Sequence, residues 1–223
     1  MKRSELLAMT PLFSGSKPEE IDTMLGCLAA RERRYGKGAR IHRMGDVITT
    51  VGLVLEGGVR IESVDVWGNV SVLGVKGAGG MFGEAYAAVP DEPLMVDVVA
   101  AEDTTVLFLN LSKVLATCPR ACPHHSRTSA NTIAIIARQS LALSRRILHV
   151  APKTIRGKAL AYLSDIAERT GQREFDIPFD RQELADYLSV DRSSLSKELS
   201  RMRDEGIVAF RKNHFCLLKG PEE

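Results

Sequence analysis

Five residues near the C-terminus have side chains suited to nucleic-acid recognition: Arg192, Ser193, Ser194, Ser196 and Lys197. Long cationic side chains reach phosphates and the acceptor atoms of guanine, and short hydroxyls form hydrogen bonds with base edges. The five residues lie between the apolar positions of a predicted helix, so they would face solvent. Their types and spacing predict contacts with the major groove of DNA. The alternative is an ordinary helical hairpin with a solvated face.

Residues 181–200 are predicted to form two short helices joined by a tight turn, which would position these side chains. Apolar residues stand where two crossing helices need contacts, namely Leu184, Ala185, Leu188, Val190, Leu195 and Leu199. Asp180 with Glu183 predicts a capping box for the first helix, and Asp191 is predicted to cap the second. Ser189 occupies the turn, where glycine would adopt a left-handed backbone more easily.

A basic hairpin is predicted to follow these two helices. Two short apolar runs, residues 207–210 and 214–218, flank a tip made of Arg211, Lys212 and Asn213. Residues 175–179 can add a third short strand. A basic hairpin beside a recognition helix is typical of a winged helix-turn-helix.

Composition sets limits on the rest of the chain. Its 223 residues are 44% hydrophobic and 26% charged, with a net charge of +2, which is ordinary for a globular protein. No apolar run approaches the roughly 20 residues that span a bilayer, and the N-terminus lacks the pattern of a signal peptide. Four scattered cysteines indicate a reducing compartment. We therefore expect a cytoplasmic protein without a membrane partner.

Charge is distributed unevenly along the chain. Residues 1–110 carry 11 basic and 15 acidic side chains, whereas residues 111–223 carry 19 basic and 13 acidic ones. Residues 111–164 contain nine Lys or Arg and no Asp or Glu. This asymmetry favours an acidic sensor joined to a segment that approaches phosphates. A solvated basic helix without a partner is the alternative.

The first half of the chain has the pattern of an antiparallel β-roll. Residues 4–30 predict short helices, and residues 34–110 predict short strands separated by turns at intervals of roughly ten residues. Residues 53–61 are predicted to form a hairpin with Gly57-Gly58 at its turn, and residues 64–75 are predicted to form a second hairpin. Regular short strands with frequent glycine favour a roll or barrel.

Residues 123–150 predict one long helix, roughly 40 Å in length at about 1.5 Å per residue. Two series repeat every seven residues and are offset by three and four, as in the seam of a two-stranded coiled coil; they are Ile133, Ser140 and Ile147, and Ile136, Leu143 and Val150. The narrow stripe favours dimerisation. The alternative is a helix that lies on its own β-roll.

Three regions are therefore expected in an α+β fold. Residues 1–122 form a cupin-like sensing β-roll, residues 123–151 a dimerisation helix and hinge, and residues 152–223 a winged helix-turn-helix. The hinge is predicted at Ala151-Pro152, because proline ends a helix and restricts the residue before it.

Taken in order, these elements resemble the cyclic AMP receptor / fumarate–nitrate regulator (CRP/FNR) family of bacterial transcription factors. The resemblance covers nearly all of the chain and rests on residues 80–85 (GMFGEA), the long helix and residues 180–208. It implies a homodimer that senses a signal in its β-roll and reorients two winged helices onto a palindromic operator in double-stranded DNA. It also implies RNA polymerase as a partner.

The recognition helix departs from the family pattern at one position. Family members carry an arginine, a following acid and a basic residue four positions further on, and the matching residues here are Arg192, Ser193 and Lys197. Serine replaces the acid, so we expect a different operator. The resemblance implies that Arg192 binds guanine and that Lys197 binds guanine or phosphate. Contacts with the DNA backbone are expected from three other basic residues, Arg201, Arg211 and Lys212.

The sensor departs further from members that bind cyclic nucleotides. Those members follow a Gly-Glu pair, here Gly83-Glu84, with an Arg-Ser pair about eleven residues later that neutralises the cyclic phosphate. Apolar residues hold those positions here, and an unpaired buried phosphate would be costly. We expect an apolar or aromatic effector other than cyclic AMP, and no cofactor; the alternative is a ligand-free core. The expected contacts are Gly83, Glu84, Leu94 and Met95, with Leu141 and Ala142 on the long helix.

A redox or metal site is a further possibility. Cys118 and Cys122 are four residues apart and are followed by His124 and His125, so they have ligand types suited to a metal or to oxidation. Two free thiols at a helix entrance are the alternative. The cysteine cluster of iron–sulfur members is absent, and haem ligation by His42 or His124 has no positive signal.

No catalytic constellation occurs in the sequence. A nucleophile elbow, a phosphate-binding glycine-rich loop and a paired acid–base motif are all missing, so an enzyme is not expected. The competing hypothesis to a DNA-binding regulator is a ligand-binding module whose C-terminal helices bind a protein.

Overall fold

The computed structural model describes residues 3–116 and 123–218. The chain forms two compact units, which divide between Arg138 and Gln139. The sequence predicted boundaries after residues 122 and 151 instead, and these boundaries stay a prediction. In the described part of the chain, no helix has both the length and the hydropathy needed to cross a membrane.

The described residues of the first unit form short helices and eight strands. Its helices are α1 (Arg3–Ala8), α2 (Pro18–Cys27), α3 (Glu84–Ala88), α4 (Leu111–Leu115) and the beginning of α5 (Pro123–Val150), with a 3₁₀ turn at Pro11–Phe13. Its strands are β1 (Arg31–Tyr35), β2 (Arg40–His42), β3 (Thr50–Glu56), β4 (Gly58–Val64), β5 (Val70–Gly77), β6 (Met81–Phe82), β7 (Asp97–Ala100) and β8 (Thr104–Asn110). The succession of short helices, short strands and one long helix is as predicted.

The strands form two antiparallel sheets of four strands each. Their orders are β1-β8-β3-β6 and β2-β7-β4-β5. Buried side chains from both sheets pack together between them: Val54, Val59, Phe82, Val98, Val106 and Phe108. Removing this apolar surface from water is the main force that holds the sheets together. The predicted antiparallel β-roll and the α+β class are confirmed.

Only one of the two predicted hairpins is correct. β4 and β5 pair along their length, with Val64 opposite Val70. By contrast, β3 and β4 lie in different sheets, so residues 53–61 do not form a hairpin. Gly57 has a positive φ of 74°, and a β-carbon there would lie 2.4 Å from the carbonyl oxygen of Asp103. Glycine at this position turns the chain from one sheet into the other.

The strands β3 and β8, in the middle of the sheet β1-β8-β3-β6, are buried on both faces. Because successive side chains of a strand point to opposite faces, Val54 of β3 faces the other sheet, whereas Val51, Leu53 and Leu55 pack with the N-terminal helices. The beginning of α5 is tied to the same helices, since Asn131 Nδ2 donates to the carbonyl oxygens of Leu12 and Ser14 at 3.1 and 3.0 Å.

The second unit is a small helical domain with a three-stranded sheet. Its elements are the end of α5, α6 (Ile155–Thr170), β9 (Glu174–Asp176), α7 (Arg181–Leu188), α8 (Arg192–Asp204), β10 (Val208–Arg211) and β11 (His214–Leu217). The sheet order is β10-β11-β9. The predicted interhelical contacts are found in one core, where Leu184, Ala185, Leu188, Leu195 and Leu199 are buried and Val190 packs against them.

The last turns of α5 are fixed to α7 within this second unit. Arg146 Nε donates to the carbonyl oxygen of Tyr187 at 3.3 Å, and His149 Nδ1 lies 2.9 Å from the Tyr187 hydroxyl. α5 ends at Val150 and α6 begins at Ile155, so the predicted helix break at Pro152 is confirmed. Whether the chain bends there as a hinge stays a prediction.

Candidate DNA-binding surface and effector pocket

Ser189, in the turn between α7 and α8, has the left-handed backbone conformation that was expected at this position. Ser189 has φ 53° and ψ 58°, a conformation that costs energy for any residue with a β-carbon. Lys158 Nζ, from α6, lies 3.1 Å from the carbonyl oxygen of Leu188 and 3.4 Å from that of Ser189. A cation at a helix C-terminus satisfies unpaired carbonyls and opposes the helix dipole. Lys158 therefore stabilises the turn, a role that sequence reasoning missed.

Both helices of the unit begin at the predicted caps. The Glu183 amide donates to Asp180 Oδ1 at 2.9 Å, and the Asp180 amide donates to Glu183 Oε2 at 2.7 Å. This reciprocal pair is a capping box. At the start of α8, Asp191 Oδ1 accepts from the Ser194 amide at 2.8 Å. The caps fix where each helix begins and therefore which residues α8 presents first.

Asp191 also binds a hydroxyl on the exposed face of α8. Ser193 Oγ donates to Asp191 Oδ1 at 2.6 Å. Hydrogen bonds from the Ser193 hydroxyl, first, and from the Ser194 amide lower the pKa of Asp191 to about 2, because each of them stabilises the charged carboxylate. Asp191 is therefore ionised at neutral pH.

The predicted recognition residues are brought together at one surface of α8. Arg192, Ser193, Lys197 and Arg201 are exposed, whereas Ser194 and Ser196 are half-buried. Spacings of one, five and nine residues from Arg192 follow the helix from its first turn to its third. This surface combines long cations with small hydroxyls, as a helix that enters the major groove requires.

Arg156 of α6 fixes the position of α8 through hydrogen bonds to two carboxylates. Arg156 donates through Nε to Glu198 at 2.6 Å and through both Nη atoms to Glu205 at 2.7 and 2.8 Å. These hydrogen bonds raise the pKa of Arg156 above its usual value. Glu198 also lies 3.6 Å from Arg201 Nη1, so one carboxylate connects this brace to a predicted backbone contact. Sequence reasoning missed the brace, because its partners are 42 and 49 residues apart.

The β10–β11 hairpin forms the predicted wing. Arg211 pairs with His214 across the hairpin, and Arg211 and Lys212 are exposed at its tip. Lys212 has φ 56°, as a tight two-residue turn requires. The hairpin is fixed to α7 because the Arg181 guanidinium lies 5.0 Å from the ring centre of Phe210, within the range of a cation–π contact.

The β-roll contains a cavity of about 190 Å³ beside α3. Gly83, with φ 79°, precedes α3, and the Glu84 side chain that follows is buried. The wall is mostly apolar and is formed by Ile61, Lys76, Met81, Phe82, Gly83, Glu84, Ala85, Tyr86, Leu94, Val96 and Val98. Three predicted effector contacts, Gly83, Glu84 and Leu94, therefore share one wall. Sequence reasoning missed the others, including Lys76 of β5 and Tyr86 of α3.

Met95 does not line this cavity, and its contact with an effector stays a prediction. Leu94 is bound through its backbone to Gly45 and Asp46 at 2.7 and 2.9 Å, and its side chain is buried against the cavity. Met95 is 67% exposed, whereas Val96 lies in the lining. Leu141 and Ala142 belong to the second unit and are exposed. Their effector contacts stay a prediction.

The candidate metal ligands are only partly described. Cys118 and Cys122 lie outside the described residues. His124 Nδ1 lies 3.1 Å from a Glu20 carboxylate oxygen, and His125 is buried. Among the described residues, no group of three or more His, Cys, Asp or Glu is arranged to hold a metal ion.

His42, the other residue considered for haem, lies in an apolar environment. It packs edge-on against the rings of Phe82 and Phe108, with centroids 6.2 and 5.7 Å away. Burial lowers its pKa below the usual value.

The predicted dimerisation stripe faces solvent in the single chain. Ile133, Ser140, Leu143 and Ile147 are exposed, and Ile136 and Val150 are half-buried. Within the second unit, Leu143 and Ile147 are large apolar side chains four residues apart on an exposed helix face, which association of two chains would bury.

Comparison with known proteins assigns both parts of the chain. The cyclic nucleotide-binding domain matches residues 32–120, and the Crp-like helix-turn-helix domain matches residues 157–222. The cyclic AMP receptor protein of Thermus thermophilus is 28% identical over 200 residues, which cover 89% of this chain and 88% of that protein. The nitrogen fixation regulation protein FixK of Rhizobium meliloti is 22% identical over 189 residues, covering 84% and 82%.

Solved structures show the same fold. The catabolite activator protein of Thermus thermophilus is 26% identical, with 93% of each chain covered and a TM-score of 0.50. The c-di-GMP responsive global regulator CLP of Xanthomonas campestris is 19% identical, covering 91% of this chain and 99% of that one, with a TM-score of 0.55. With its β-roll sensor and its winged helix-turn-helix, this chain belongs to the CRP/FNR family of transcriptional regulators, which bind DNA and are not enzymes.

Proposed function

We propose that this regulator binds a palindromic operator as a homodimer and is gated by a small organic effector other than a cyclic nucleotide. The observation that carries the DNA-binding part is the exposed surface of α8, where Arg192, Ser193 and Lys197 follow one another beside a basic wing tip. Each α8 enters a major groove, with half-sites about 34 Å apart. Arg192 and Lys197 contact bases, and Arg201, Arg211 and Lys212 contact phosphates.

A DNA-binding experiment tests this surface directly. Fragments bound by the purified protein are selected from genomic DNA, and their affinity is measured by fluorescence anisotropy. Arg192→Ala with Lys197→Ala should weaken operator binding at least about tenfold, since a good base contact is worth about 1–3 kcal/mol. The matched control is Lys153→Ala with Arg173→Ala, which removes two exposed cations elsewhere in the unit. Equal loss in both pairs, or binding without sequence preference, would refute the proposal and favour a protein partner.

The dimer part rests on the exposed heptad stripe of α5. Leu143 and Ile147 are 61% and 56% exposed in the single chain, and both lie on the predicted seam. Leu143→Arg would place a charge in that seam and should produce a monomer in analytical ultracentrifugation. Arg138→Ala on the same helix should leave the dimer intact. A wild-type protein that stays monomeric at micromolar concentration would contradict the proposal.

The effector part rests on the size and lining of the cavity. An apolar cavity of about 150 Å³ holds one benzene molecule, so 190 Å³ suits roughly eight non-hydrogen atoms. Leu94, where cyclic-nucleotide-binding relatives have arginine, is apolar and buried. Within the described lining, the cationic residue is Lys76, and it favours a ligand with one acidic or acceptor group on an apolar body.

Native mass spectrometry of freshly purified protein identifies a bound organic molecule, metal or haem by mass. Titration calorimetry with cyclic AMP is the direct counter-test, and we expect no binding at millimolar concentration. Leu94→Trp should fill the cavity and abolish binding of any molecule that co-purifies. Tight binding of cyclic AMP would overturn this part of the proposal, and a metal adduct that requires Cys118 and Cys122 would favour metal or redox sensing.

The effector controls DNA binding by shifting the equilibrium between two arrangements of the units. An effector that binds one arrangement more tightly raises its population in proportion to that difference in affinity. The DNA-bound dimer would then act on RNA polymerase in the cytoplasm, where its operator lies.

A further inference from the structure

We infer that Ser193 recognises the exocyclic amine of cytosine or adenine, because Asp191 directs the Ser193 proton away from the DNA and leaves the hydroxyl oxygen as an acceptor. The inference deepens the proposed DNA-binding function and rests on α8 entering the major groove. It gives a specific role to the position at which this chain lacks the family's acidic residue.

The direction of the hydrogen bond follows from the chemistry of the two groups. Asp191 Oδ1 and Ser193 Oγ lie 2.6 Å apart. The Asp191 carboxylate is ionised at neutral pH and has no proton to give, so the hydroxyl must be the donor. Oδ1 also accepts from the Ser194 amide at 2.8 Å, which holds the carboxylate in place at the start of α8.

A serine hydroxyl has one proton and two lone pairs, so it ordinarily can donate or accept. Here the proton is committed to Asp191, and the exposed oxygen can only accept from a further partner. Bonding to a carboxylate also polarises the hydroxyl and makes its oxygen a better acceptor. Ser193 thus adds a polarised acceptor oxygen to a surface of α8 whose other side chains are cations and neutral groups.

The major groove offers two kinds of polar atoms to this oxygen. Cytosine N4 and adenine N6 present donors, whereas guanine O6 and N7 and thymine O4 present acceptors. An acceptor-only Ser193 therefore favours cytosine or adenine at the base that it faces and disfavours guanine and thymine. It accepts a hydrogen bond as a carboxylate would, but from a shorter side chain and from adenine as well as cytosine, so the operator can still differ from that of members with the acid.

Two variants and a control test whether the Ser193 hydroxyl acts as an acceptor toward the DNA. Operator fragments are selected from a random-sequence duplex library by wild type, Ser193→Ala, Ser193→Glu and Ser200→Ala. Ser200 lies in α8 and donates its hydroxyl to the Ser196 carbonyl oxygen at 3.0 Å, so Ser200→Ala should keep the wild-type preference. Ser193→Ala should relax the preference at one base pair per half-site by about 3- to 10-fold, the worth of one neutral hydrogen bond. Ser193→Glu should retain the wild-type base preference at that base pair.

Base analogues give a second measurement that needs no variant. Replacing the selected adenine by purine, or the selected cytosine by pyrimidin-2-one, removes the amine together with one base-pairing hydrogen bond, so wild type and Ser193→Ala are compared on the same duplexes. The loss of affinity at that position should be about 3- to 10-fold larger for the wild type than for Ser193→Ala. A wild-type preference for guanine or thymine that Ser193→Ala abolishes would overturn the inference, as would a reversed preference in Ser193→Glu. Loss of all operator binding in Arg192→Ala with Lys197→Ala, but no change in Ser193→Ala, would retain the proposed function and reject only this role.

Discussion

The phenyl ring of Phe82 fills the space over the backbone of Gly52, where a β-carbon would lie 2.1 Å from the ring's Cζ atom. The two residues face each other across β3 and β6. Phe82 also lines the effector cavity, so a glycine in one strand sets the position of a side chain in the candidate sensor. The strand pairing and the shape of the pocket depend on the same contact.

Gly52→Ala should therefore destabilise the β-roll and alter the pocket together. Overpacking of this kind costs about 1–3 kcal/mol, and the displaced Phe82 ring would reduce the affinity for the effector. Gly74→Ala is the matched control, because a β-carbon at Gly74 meets no atom within 4 Å. Thermal unfolding followed by circular dichroism measures the first effect. Equal melting temperatures for the two variants would contradict the role given to Phe82.

Ser189→Gly should stabilise the helix-turn-helix. Ser189 has a left-handed backbone, which costs about 1–2 kcal/mol for a residue with a β-carbon, and glycine removes that cost while it adds freedom to the unfolded chain. We expect a net gain of about 0.5–1 kcal/mol in the free energy of unfolding. Ser200→Gly, inside α8, should instead lower it by a similar amount. Urea unfolding monitored by circular dichroism at 222 nm compares the two variants, and a less stable Ser189→Gly would show that the turn is not strained.

His149 should make the second unit less stable in acid. Its ring is buried, and burial lowers its pKa below the usual 6.5; Arg169 and Arg145 act in the same direction, and Asp165 opposes them. The folded state then binds the proton less readily than the unfolded state. Stability from neutral His149 is therefore complete above pH 6.5 and is lost as the pH falls below it.

The measurement is hydrogen exchange of α7 amides between pH 7.5 and 5.5, after correction for the intrinsic exchange rate. His149→Gln should remove the acid sensitivity. His214 provides the opposite control: hydrogen bonds to Glu174 and Asp176 raise its pKa, so its contribution is complete below pH 6.5 and is lost as the pH rises through the folded value. An acid sensitivity of α7 protection that is equal in the wild type and in His149→Gln would refute the prediction.

The wing and the recognition helix should differ in how their substitutions depend on salt and sequence. Arg211→Gln and Lys212→Gln should each lower the steepness of log K against log salt by about 1 for every phosphate that the variant no longer neutralises, with the base preference unchanged. Arg192→Ala should relax the preference for one base pair instead. Operator affinities measured from 50 to 300 mM salt separate the two effects. A changed base preference in the wing variants would mean that the wing reads bases.

Local features of this protein were predictable from residues close together in the chain. Asp180 and Glu183 are three positions apart and form the predicted capping box, and the β4–β5 hairpin closes over a turn of five residues between Val64 and Val70. Caps, turns and helix periodicity depend on neighbouring residues and on intrinsic backbone preferences. The winged helix-turn-helix could be predicted for this reason, together with the surface of α8.

Contacts between distant residues were decided by the tertiary structure. The sequence around Gly57 is suited equally to a hairpin and to a crossing between sheets, and only the pairing of β3 with β8 selected the crossing. Lys76 of β5 reaches the cavity because strand register decides which face each side chain occupies, whereas Met95, which precedes β7, does not line it. The Arg156 brace and the Lys158 contact with Leu188 likewise join α6 to helices some 30 to 49 residues away. Local preference assigned the elements, whereas packing of the whole chain decided which of their side chains meet.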